Sequence, residues 1–195
     1  MIDRRVRRTR LSLQTALISL IPERGYDAVT VEEICEAADV GRSTFYAHYK
    51  SKDDLKRRAI DDHLRGLFHA RQLELTAAGG AERSLSATQV IFEHVRDHRD
   101  LCRAVVRGPG CSVAIDAIRN SLSALLREEI GSGSSSSFMR EFTVQYLVGA
   151  FITVLVWWLD NGARRSPEEM ESHFRELSTK GTMSALGGGS AAERG

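Results

Sequence analysis

The stretch from Thr30 to Leu55 reads TVEEICEAADVGRSTFYAHYKSKDDL. Thr30 followed by Glu33 three residues later is the pattern of a capping box, which predicts that a helix begins here. The helix is expected to end near 39–41, and a second, short helix is predicted from 42 to 48. Ser51 then caps a long helix that begins at Lys52 and continues to about Ala77. Two short helices joined by a tight turn and followed by a long helix are therefore expected.

The second short helix has two different faces. Phe45 and Tyr49 are four residues apart and are expected to pack inward. The remaining face is polar, as a DNA recognition helix requires for contact with base edges, and flanking donors suit the phosphate backbone. Any other helical hairpin would also have two helices joined by a turn, but it would not need these particular residues at these positions. The predicted DNA-binding residues are Thr30, Arg42, Ser43, Thr44, Tyr46, His48, Lys50 and Lys52.

Over about fifty residues this stretch resembles the DNA-binding signature of the TetR family of bacterial regulators. The resemblance implies an all-α fold of about nine helices, with three in a DNA-binding head and the rest in a ligand-binding and dimerisation body. It also implies that Thr30 and Lys52 hold phosphates on either side of the groove. Arg42 and Thr44 would then face bases, and Tyr46 and His48 would hold the backbone.

Two residues depart from the pattern of the family. Asp39 stands where the family usually has glycine in the turn, although aspartate tolerates a left-handed conformation better than most residues. Ser43 stands where glycine or alanine is common, and it adds a hydroxyl group. Neither departure removes the resemblance, but both leave the operator sequence open.

Composition and charge fit a globular intracellular protein. The chain has 195 residues, of which 42% are hydrophobic and 27% are charged, with a formal net charge of +1. Five arginines precede residue 11, and this basic arm before the first helix suits a polyanion or forms a solvated tail. Three widely spaced cysteines argue against a secreted disulfide framework, and no signal peptide is visible, so a cytoplasmic location is expected.

The rest of the chain is predicted to be helical, with no strands, because no alternation of apolar and polar residues is found. Small-residue loops are expected at 76–82 and 131–137. The predicted domains are a helix-turn-helix DNA-binding domain at 1–51, a helical regulatory and dimerisation domain at 52–186, and a flexible tail at 187–195.

The segment from Phe142 to Leu159 is almost free of charge. It is at the lower limit for a membrane-spanning helix, so a helix buried in protein is favoured over a membrane segment. The sequence around Trp157-Trp158 and Ser166-Pro167 resembles a TetR subgroup related to regulators of dihydroxyacetone kinase genes. This implies that the helices at 138–160 and 167–177 form a four-helix dimer interface, with an internal core helix as the alternative. The predicted interface residues are Phe151, Leu155, Trp158, Met170 and Phe174.

An effector pocket is predicted in the body, although residues at helical spacing also suit a plain core. Its ligand would be small and mostly apolar. The predicted lining residues are Phe92, Val95, Val106, Ile118, Leu122, Tyr146 and Trp157.

The sequence favours metal binding and enzymatic chemistry less. His94, His98 and Cys102 have helical metal-ligand spacing, but a helix break is expected between 97 and 101, so no metal and no cofactor are predicted. Motifs of enzymes are absent from the sequence. The expected function is a repressor that binds a palindromic operator as a homodimer and is released by a small effector. The alternative is a regulator controlled by a protein partner or by oxidation of Cys102 and Cys111.

Overall fold

The computed structural model describes residues 4–77, 86–108, 110–131 and 136–187. Within these ranges the chain forms α-helices and no strand, which confirms the all-α prediction. The predictions for the 78–82 part of the first loop, for most of the 131–137 linker and for the tail after 187 lie outside the described residues. The helices are α1 (Arg4–Arg24), α2 (Val31–Ala37), α3 (Arg42–His48), α4 (Lys52–Ala77), α5 (Ser86–Asp97), α6 (Arg99–Arg107), α7 (Cys111–Ile130), α8 (Ser137–Asp160) and α9 (Pro167–Gly187).

Side-chain caps define where several helices begin. The Thr30 hydroxyl accepts the N–H of Glu33 at 3.2 Å, and the Glu33 carboxylate accepts the N–H of Thr30 at 2.8 Å, which confirms the capping box at α2. The Ser51 hydroxyl accepts the N–H of Asp54 at 3.1 Å at the start of α4. Ser166 and Glu169 form a second reciprocal cap at α9, with distances of 3.1 and 3.2 Å. Each cap satisfies amide groups that a helix leaves unpaired at its first turn.

The first helix is longer than the sequence suggested. It begins at Arg4, where a basic arm ahead of a helix starting near Arg8 was expected, because arginine is itself a good helix former. It also continues past Pro22, which lies in the last turn, and ends before Gly25, whose φ is +76°. The five arginines between 4 and 10 therefore lie on helix α1, and the prediction of an arm outside the helix is wrong.

The chain packs as two compact units. The first joins the residues up to Leu64 with His98–Ile118, and the second joins Arg65–Asp97 with the residues from Arg119 onward. The predicted functional division after residue 51 remains a prediction. In the first unit, α1 packs on α2 and α6 around an apolar core. The largest residues of that core are Leu13, Leu17, Ile21, Tyr26, Ile34, Phe45, Tyr49 and Leu55.

An aromatic cluster forms the centre of the second unit. The ring of Phe92 on α5 lies 5.2 Å from that of Phe151 and 5.4 Å from that of Trp158, both on α8. Phe174 on α9 lies 5.4 Å from Phe151. The indole N–H of Trp158 donates to the carbonyl of Arg165 at 3.2 Å. Edge-on aromatic contacts of this kind add to the burial of apolar surface and tie α5, α8 and α9 together.

This packing corrects the prediction for the dimer interface. Phe151, Leu155, Trp158, Met170 and Phe174 are all buried in the subunit, each with at most 6% of its surface exposed. They are therefore unavailable to a partner in this conformation. Hydropathy identifies α8 as a helix that must be covered, but it does not tell which face its own subunit covers.

Helix α8 is long and apolar enough to cross a membrane, by length and composition only. Half of its apolar 18-residue stretch is buried inside the protein. The opposite face carries aromatic side chains that are more than half exposed. These are Phe138, Phe142, Tyr146 and Trp157, and they define what we call the α8 aromatic face.

Candidate nucleic-acid interface

A tight turn joins α2 to α3. Asp39 adopts a left-handed conformation with φ +52°, and the N–H of Val40 donates to the carbonyl of Cys35 at 2.9 Å. Gly41 then returns to extended backbone and begins α3. The aspartate that departs from the glycine of the family pattern thus adopts the conformation for which glycine is usually chosen.

The orientation of α3 is fixed by two buried aromatic residues. Phe45 is fully buried and Tyr49 is 1% exposed, and their ring centroids are 5.8 Å apart. This confirms the predicted inward face. Arg42, Ser43, Thr44 and Tyr46 are exposed on the other face, and His48 is half-buried. The helix therefore exposes donors and acceptors on this face, while Phe45 and Tyr49 hold the opposite face in the core. Contact of these residues with DNA stays a prediction.

Thr30 serves first as the cap of α2. Its hydroxyl also lies 3.0 Å from the Glu33 carboxylate. Hydrogen bonds from the backbone and side chain of Thr30, together with the nearby Arg24 guanidinium, lower the pKa of Glu33, so the carboxylate stays ionised. A phosphate at Thr30 would compete with Glu33 for the hydroxyl proton.

Lys52 has a different environment from the one that the resemblance implied. Its ammonium donates to three backbone carbonyls of the loop between α1 and α2, at 2.7, 3.3 and 2.7 Å. An ammonium has three donors, so the loop carbonyls use all of them. The structure therefore favours Lys52 as a tie between α4 and this loop, and a phosphate contact would break that tie. The three carbonyls that Lys52 contacts belong to Tyr26, Asp27 and Val29. Lys50, by contrast, is exposed.

The structure shows two further residues at the base of the helix-turn-helix that the sequence did not indicate. Tyr26 is 3% exposed, and its hydroxyl donates to Asp53. Lys56 is 2% exposed, and its ammonium lies 3.9 Å from the centre of the Tyr26 ring and donates to the carbonyl of Gly110 at 2.9 Å. Burial lowers the pKa of Lys56 and raises that of Tyr26. In the sequence, Lys56 follows Lys52 by four residues, which suggests a solvated helix face. Only the fold shows that Lys56 is buried.

The predicted effector-pocket residues do not line one described cavity. Phe92, Val95 and Leu122 are buried in the second unit, and Val106 and Ile118 belong to the first unit. Tyr146 is 57% and Trp157 is 56% exposed, so neither lines an interior space, and their assignment to a pocket is wrong.

A cavity of about 20 Å³ lies in the second unit and includes Leu122 in its lining. A space of this size holds about one water molecule. Its lining is almost wholly apolar, with Ala87, Thr88, Leu122, Leu125, Leu126, Glu129, Leu147, Phe151 and Phe174.

His94, His98 and Cys102 do not lie on one continuous helix. Helix α5 ends at Asp97 and α6 begins at Arg99, so the expected break separates His94 from Cys102. Among the described residues there is no cluster of three side chains that would hold a metal ion. Burial raises the pKa of the Cys102 thiol to about 11, which disfavours the reactive thiolate.

Comparison with known proteins gives matches over most of the chain. Residues 15–59 match the model of bacterial regulatory proteins of the tetR family, and residues 82–180 match that of a transcriptional regulator C-terminal region. The HTH-type transcriptional regulator YxbF of Bacillus subtilis is 40% identical over 184 residues, which cover 90% of this chain and 46% of that protein. The chain thus spans about half the length of this relative.

Solved structures share the fold. A TetR transcriptional regulator from Streptococcus agalactiae is 25% identical, with a TM-score of 0.56 over 90% of this chain and 96% of that one. DhaS, the activator of a dihydroxyacetone kinase operon, is 14% identical, with a TM-score of 0.60 over 90% of this chain and 96% of that one. The matched family and these relatives are regulators of transcription and not enzymes. Together with the helix-turn-helix at 31–48, these matches show that the chain belongs to the TetR family of bacterial transcriptional regulators.

Proposed function

We propose that this protein regulates transcription by binding a palindromic operator as a homodimer, with α3 of each subunit in the major groove. The observation that carries the proposal is the exposed polar face of α3, held in place by buried Phe45 and Tyr49. Arg42 and Thr44 lie within the first turn of α3, where recognition helices contact base edges. The proposed location is the cytoplasm, where the operator would be found.

The side chains of α3 divide by chemistry into two groups. The guanidinium of Arg42 suits the two acceptors of a guanine edge, and the hydroxyls of Ser43 and Thr44 suit several bases. Tyr46 and Lys50 carry donors that suit phosphate oxygens, which position a protein without reading sequence. The exposed arginines at the start of α1 add positive charge to the same unit and would strengthen binding to any duplex.

Selection of duplexes from a random library by the wild-type protein tests this proposal. We expect enrichment of a palindrome whose half-sites are centred about 10 base pairs apart or more, since each subunit would place one α3 in one groove. Recovery of unrelated duplexes, with no shared sequence, would contradict sequence-specific regulation.

The α8 aromatic face supports the homodimer. Phe138, Phe142 and Tyr146 recur every four residues and Trp157 follows eleven later, so all four fall within about 100° of the helix circumference. The other side of α8 is already packed against its own subunit. An aromatic patch of this kind needs a cover, and a second copy in a two-fold pair is the commonest arrangement.

Phe142→Glu tests the dimer, because it places a charge in the middle of the α8 aromatic face. We expect sedimentation velocity to show a dimer for the wild type and a monomer for this variant. Leu73→Glu is the matched control, since Leu73 on α4 is similarly exposed at 58%, against 57% for Phe142. A wild-type monomer, or a dimer that survives Phe142→Glu, would contradict the proposed interface.

We propose repression, with release by a small, mostly apolar effector bound in the second unit. The apolar lining around Leu122 supports this chemistry, and a ligand larger than water would have to widen the space by shifting the population of conformers. A compound found by thermal shift should raise the Tm of the wild type, weaken operator binding, and lose both effects in Leu122→Trp. A compound that raises Tm without changing operator binding would count against effector control.

Control by oxidation of Cys102 and Cys111 is the second candidate. The raised pKa of Cys102 argues against it, because the thiolate is the form that reacts. If a hydroperoxide releases the wild type from its operator and the double serine variant keeps its binding, oxidation replaces the effector as the signal.

A further inference from the structure

A polar cluster around two buried residues, Tyr26 and Lys56, connects three segments of the first unit. We call it the Tyr26 junction, and it consists of Tyr26, Lys52, Asp53, Lys56 and Gly110. It joins the loop between α1 and α2, the first turns of α4, and the turn between α6 and α7. None of its members is on the exposed face of α3, so DNA contact does not account for it.

Lys56 is the centre of this cluster. A buried ammonium is costly unless it is paired or hydrogen-bonded. Here its hydrogen bond crosses 54 residues to the carbonyl of Gly110, and its charge lies over the ring of Tyr26. Both contacts compensate for lost hydration, and both depend on the α6–α7 turn and the α1–α2 loop staying in place.

Gly110 lets the backbone of the α6–α7 turn approach Tyr26 closely. Its φ is +69°, and a Cβ at this position would lie 2.4 Å from Cδ1 and 2.5 Å from Cε1 of the Tyr26 ring. Any larger residue would therefore push the turn and the ring apart. The position requires glycine both for its backbone conformation and for this contact.

The junction leads directly to the start of the helix-turn-helix. Lys52 lies 4.4 Å from the centre of the Tyr26 ring and also donates to the carbonyl of Val29 at 2.7 Å. Val29 is followed by Thr30, the cap of α2. A displacement of Tyr26 would thus move the residue at which α2 begins, and α2 carries α3 through a tight turn.

We propose that Lys56 and Gly110 are positioning residues through which the α6–α7 turn sets the placement of the helix-turn-helix. Displacing the turn breaks the contact with Lys56, loosens Tyr26 and the loop before Thr30, and lowers operator affinity without touching a DNA-binding side chain. The effect on affinity rests on the proposed DNA-binding function, whereas the effect on the loop and α2 does not.

Lys56→Met and Gly110→Ala test the proposal. The first removes the ammonium and keeps a similar chain length, and the second forces a Cβ into the Tyr26 ring. Gly131→Ala is the matched control, because Gly131 also has a positive φ, of +62°, but a Cβ there would meet no atom of the described residues within 4 Å. If Lys56→Met fails to fold, Tyr26→Phe removes only the hydrogen bond to Asp53 and keeps the ring.

Hydrogen exchange without DNA is the first readout. We expect amides of residues 26–49 to exchange about tenfold faster in Lys56→Met and Gly110→Ala than in the wild type, because local opening becomes easier. Gly131→Ala should leave them unchanged. Unchanged exchange in both junction variants, or equal acceleration in the control, would overturn the proposal.

Affinity for the duplex selected by the wild type is the second readout. We expect about a tenfold loss in each junction variant and little further loss in the double variant, since both changes break one contact. If the losses of affinity in the two single variants add up in the double variant, the two residues do not act through one shared contact, and the proposal is overturned. If the wild type selects no duplex, the DNA-binding function fails, and hydrogen exchange still decides whether the junction holds the helix-turn-helix.

Discussion

Two neighbouring lysines show how the environment of a residue decides its role. Lys50 lies just before α4 and Lys52 begins it, and both were expected to contact phosphates. Lys50 has an exposed side chain, and its backbone N–H donates to Asp54 at 3.0 Å. The three donors of Lys52 are already used by loop carbonyls. Only Lys50 can therefore bind a phosphate without the loss of existing hydrogen bonds.

We expect Lys50→Ala to weaken binding to all duplexes and to make the dependence of log K on log salt shallower by about 0.9, the effect of one phosphate contact. We expect Lys52→Ala to leave that slope unchanged and to lower the free energy of unfolding by about 1–3 kcal/mol, because the part-buried carbonyls of Tyr26 and Val29 lose their donor. Salt titrations of duplex binding measure the slope for both variants, and urea unfolding measures their stability. A shallower slope for Lys52→Ala with unchanged stability would restore the phosphate role.

The inward residues of α3 were predictable from the sequence, whereas the junction residues were not. Phe45 and Tyr49 follow from spacing along one helix. The partners of Lys56 and Lys52 lie 54 and 23–26 residues away in the chain, so no local pattern shows that these ammonium groups are engaged. A lysine near a helix start is most often solvated, and tertiary packing overrides that expectation here.

At the scale of elements, the caps of α2 and α9 have the same chemistry. Thr30 with Glu33 and Ser166 with Glu169 each satisfy two amide groups at a helix start. The cap of α2 fixes the first helix of the helix-turn-helix, whereas the cap of α9 lies in the other compact unit. A comparison of variants in the two caps can therefore distinguish a loss of helix stability from a loss of DNA binding.

We expect Thr30→Ala and Ser166→Ala each to lower the free energy of unfolding by about 0.5–2 kcal/mol, the usual cost of losing a cap. Only Thr30→Ala should also weaken operator binding, since only it frees the start of α2. Urea unfolding and fluorescence anisotropy measure the two quantities. Equal operator affinities in the two variants would contradict a role for the Thr30 cap in DNA binding.

An ion pair between α7 and α8 predicts part of the response to acid. The Arg127 guanidinium donates to the carboxylate of Glu141 at 3.0 and 2.8 Å. These bonds, and one from Gln145, lower the pKa of Glu141 from 4.5 to about 2. A lowered pKa means that the pair stabilises the folded chain above the unfolded value and that this contribution is lost as the pH falls.

We therefore expect Glu141→Gln to unfold with a smaller loss of stability than the wild type as the pH falls from 4.5 toward about 2. The difference should be small, because the pair is half-exposed. Glu128→Gln, an exposed glutamate beside Arg127 on α7, is the control. Identical acid profiles for the wild type and Glu141→Gln, measured by urea unfolding at several pH values, would contradict a contribution of this ion pair to stability.

The bounds of elements were predictable where the sequence carries capping residues. Ser51 and the break before Arg42 indicate the observed bounds of α3 and α4. Helix α1 has no such cap at its start, and the arginines that were taken for an arm continue the helix. The covered face of α8 was not predictable, because apolar residues surround the whole helix and only the position of Phe92 and Phe174 shows which side is internal.

For the whole molecule, the two compact units separate the two proposed activities. The first holds the helix-turn-helix and the Tyr26 junction, and the second holds the α8 aromatic face. Family resemblance predicted a head and a body, but it did not predict that α6 would pack with α1 of the head. Ala104 on α6 packs against the apolar core of this unit.

The exposed face of α3 is the part of the molecule that we propose reads the operator. The most direct measurement is the anisotropy of a labelled duplex, of the sequence selected by the wild type, titrated with Arg42→Ala and Tyr46→Ala. Arg164→Ala, an exposed arginine in the other unit, is the control. We predict that Arg42→Ala loses about 1–3 kcal/mol of discrimination against a scrambled duplex, that Tyr46→Ala weakens binding to both duplexes, and that Arg164→Ala changes neither. Unchanged operator affinity in both α3 variants would contradict this role of α3.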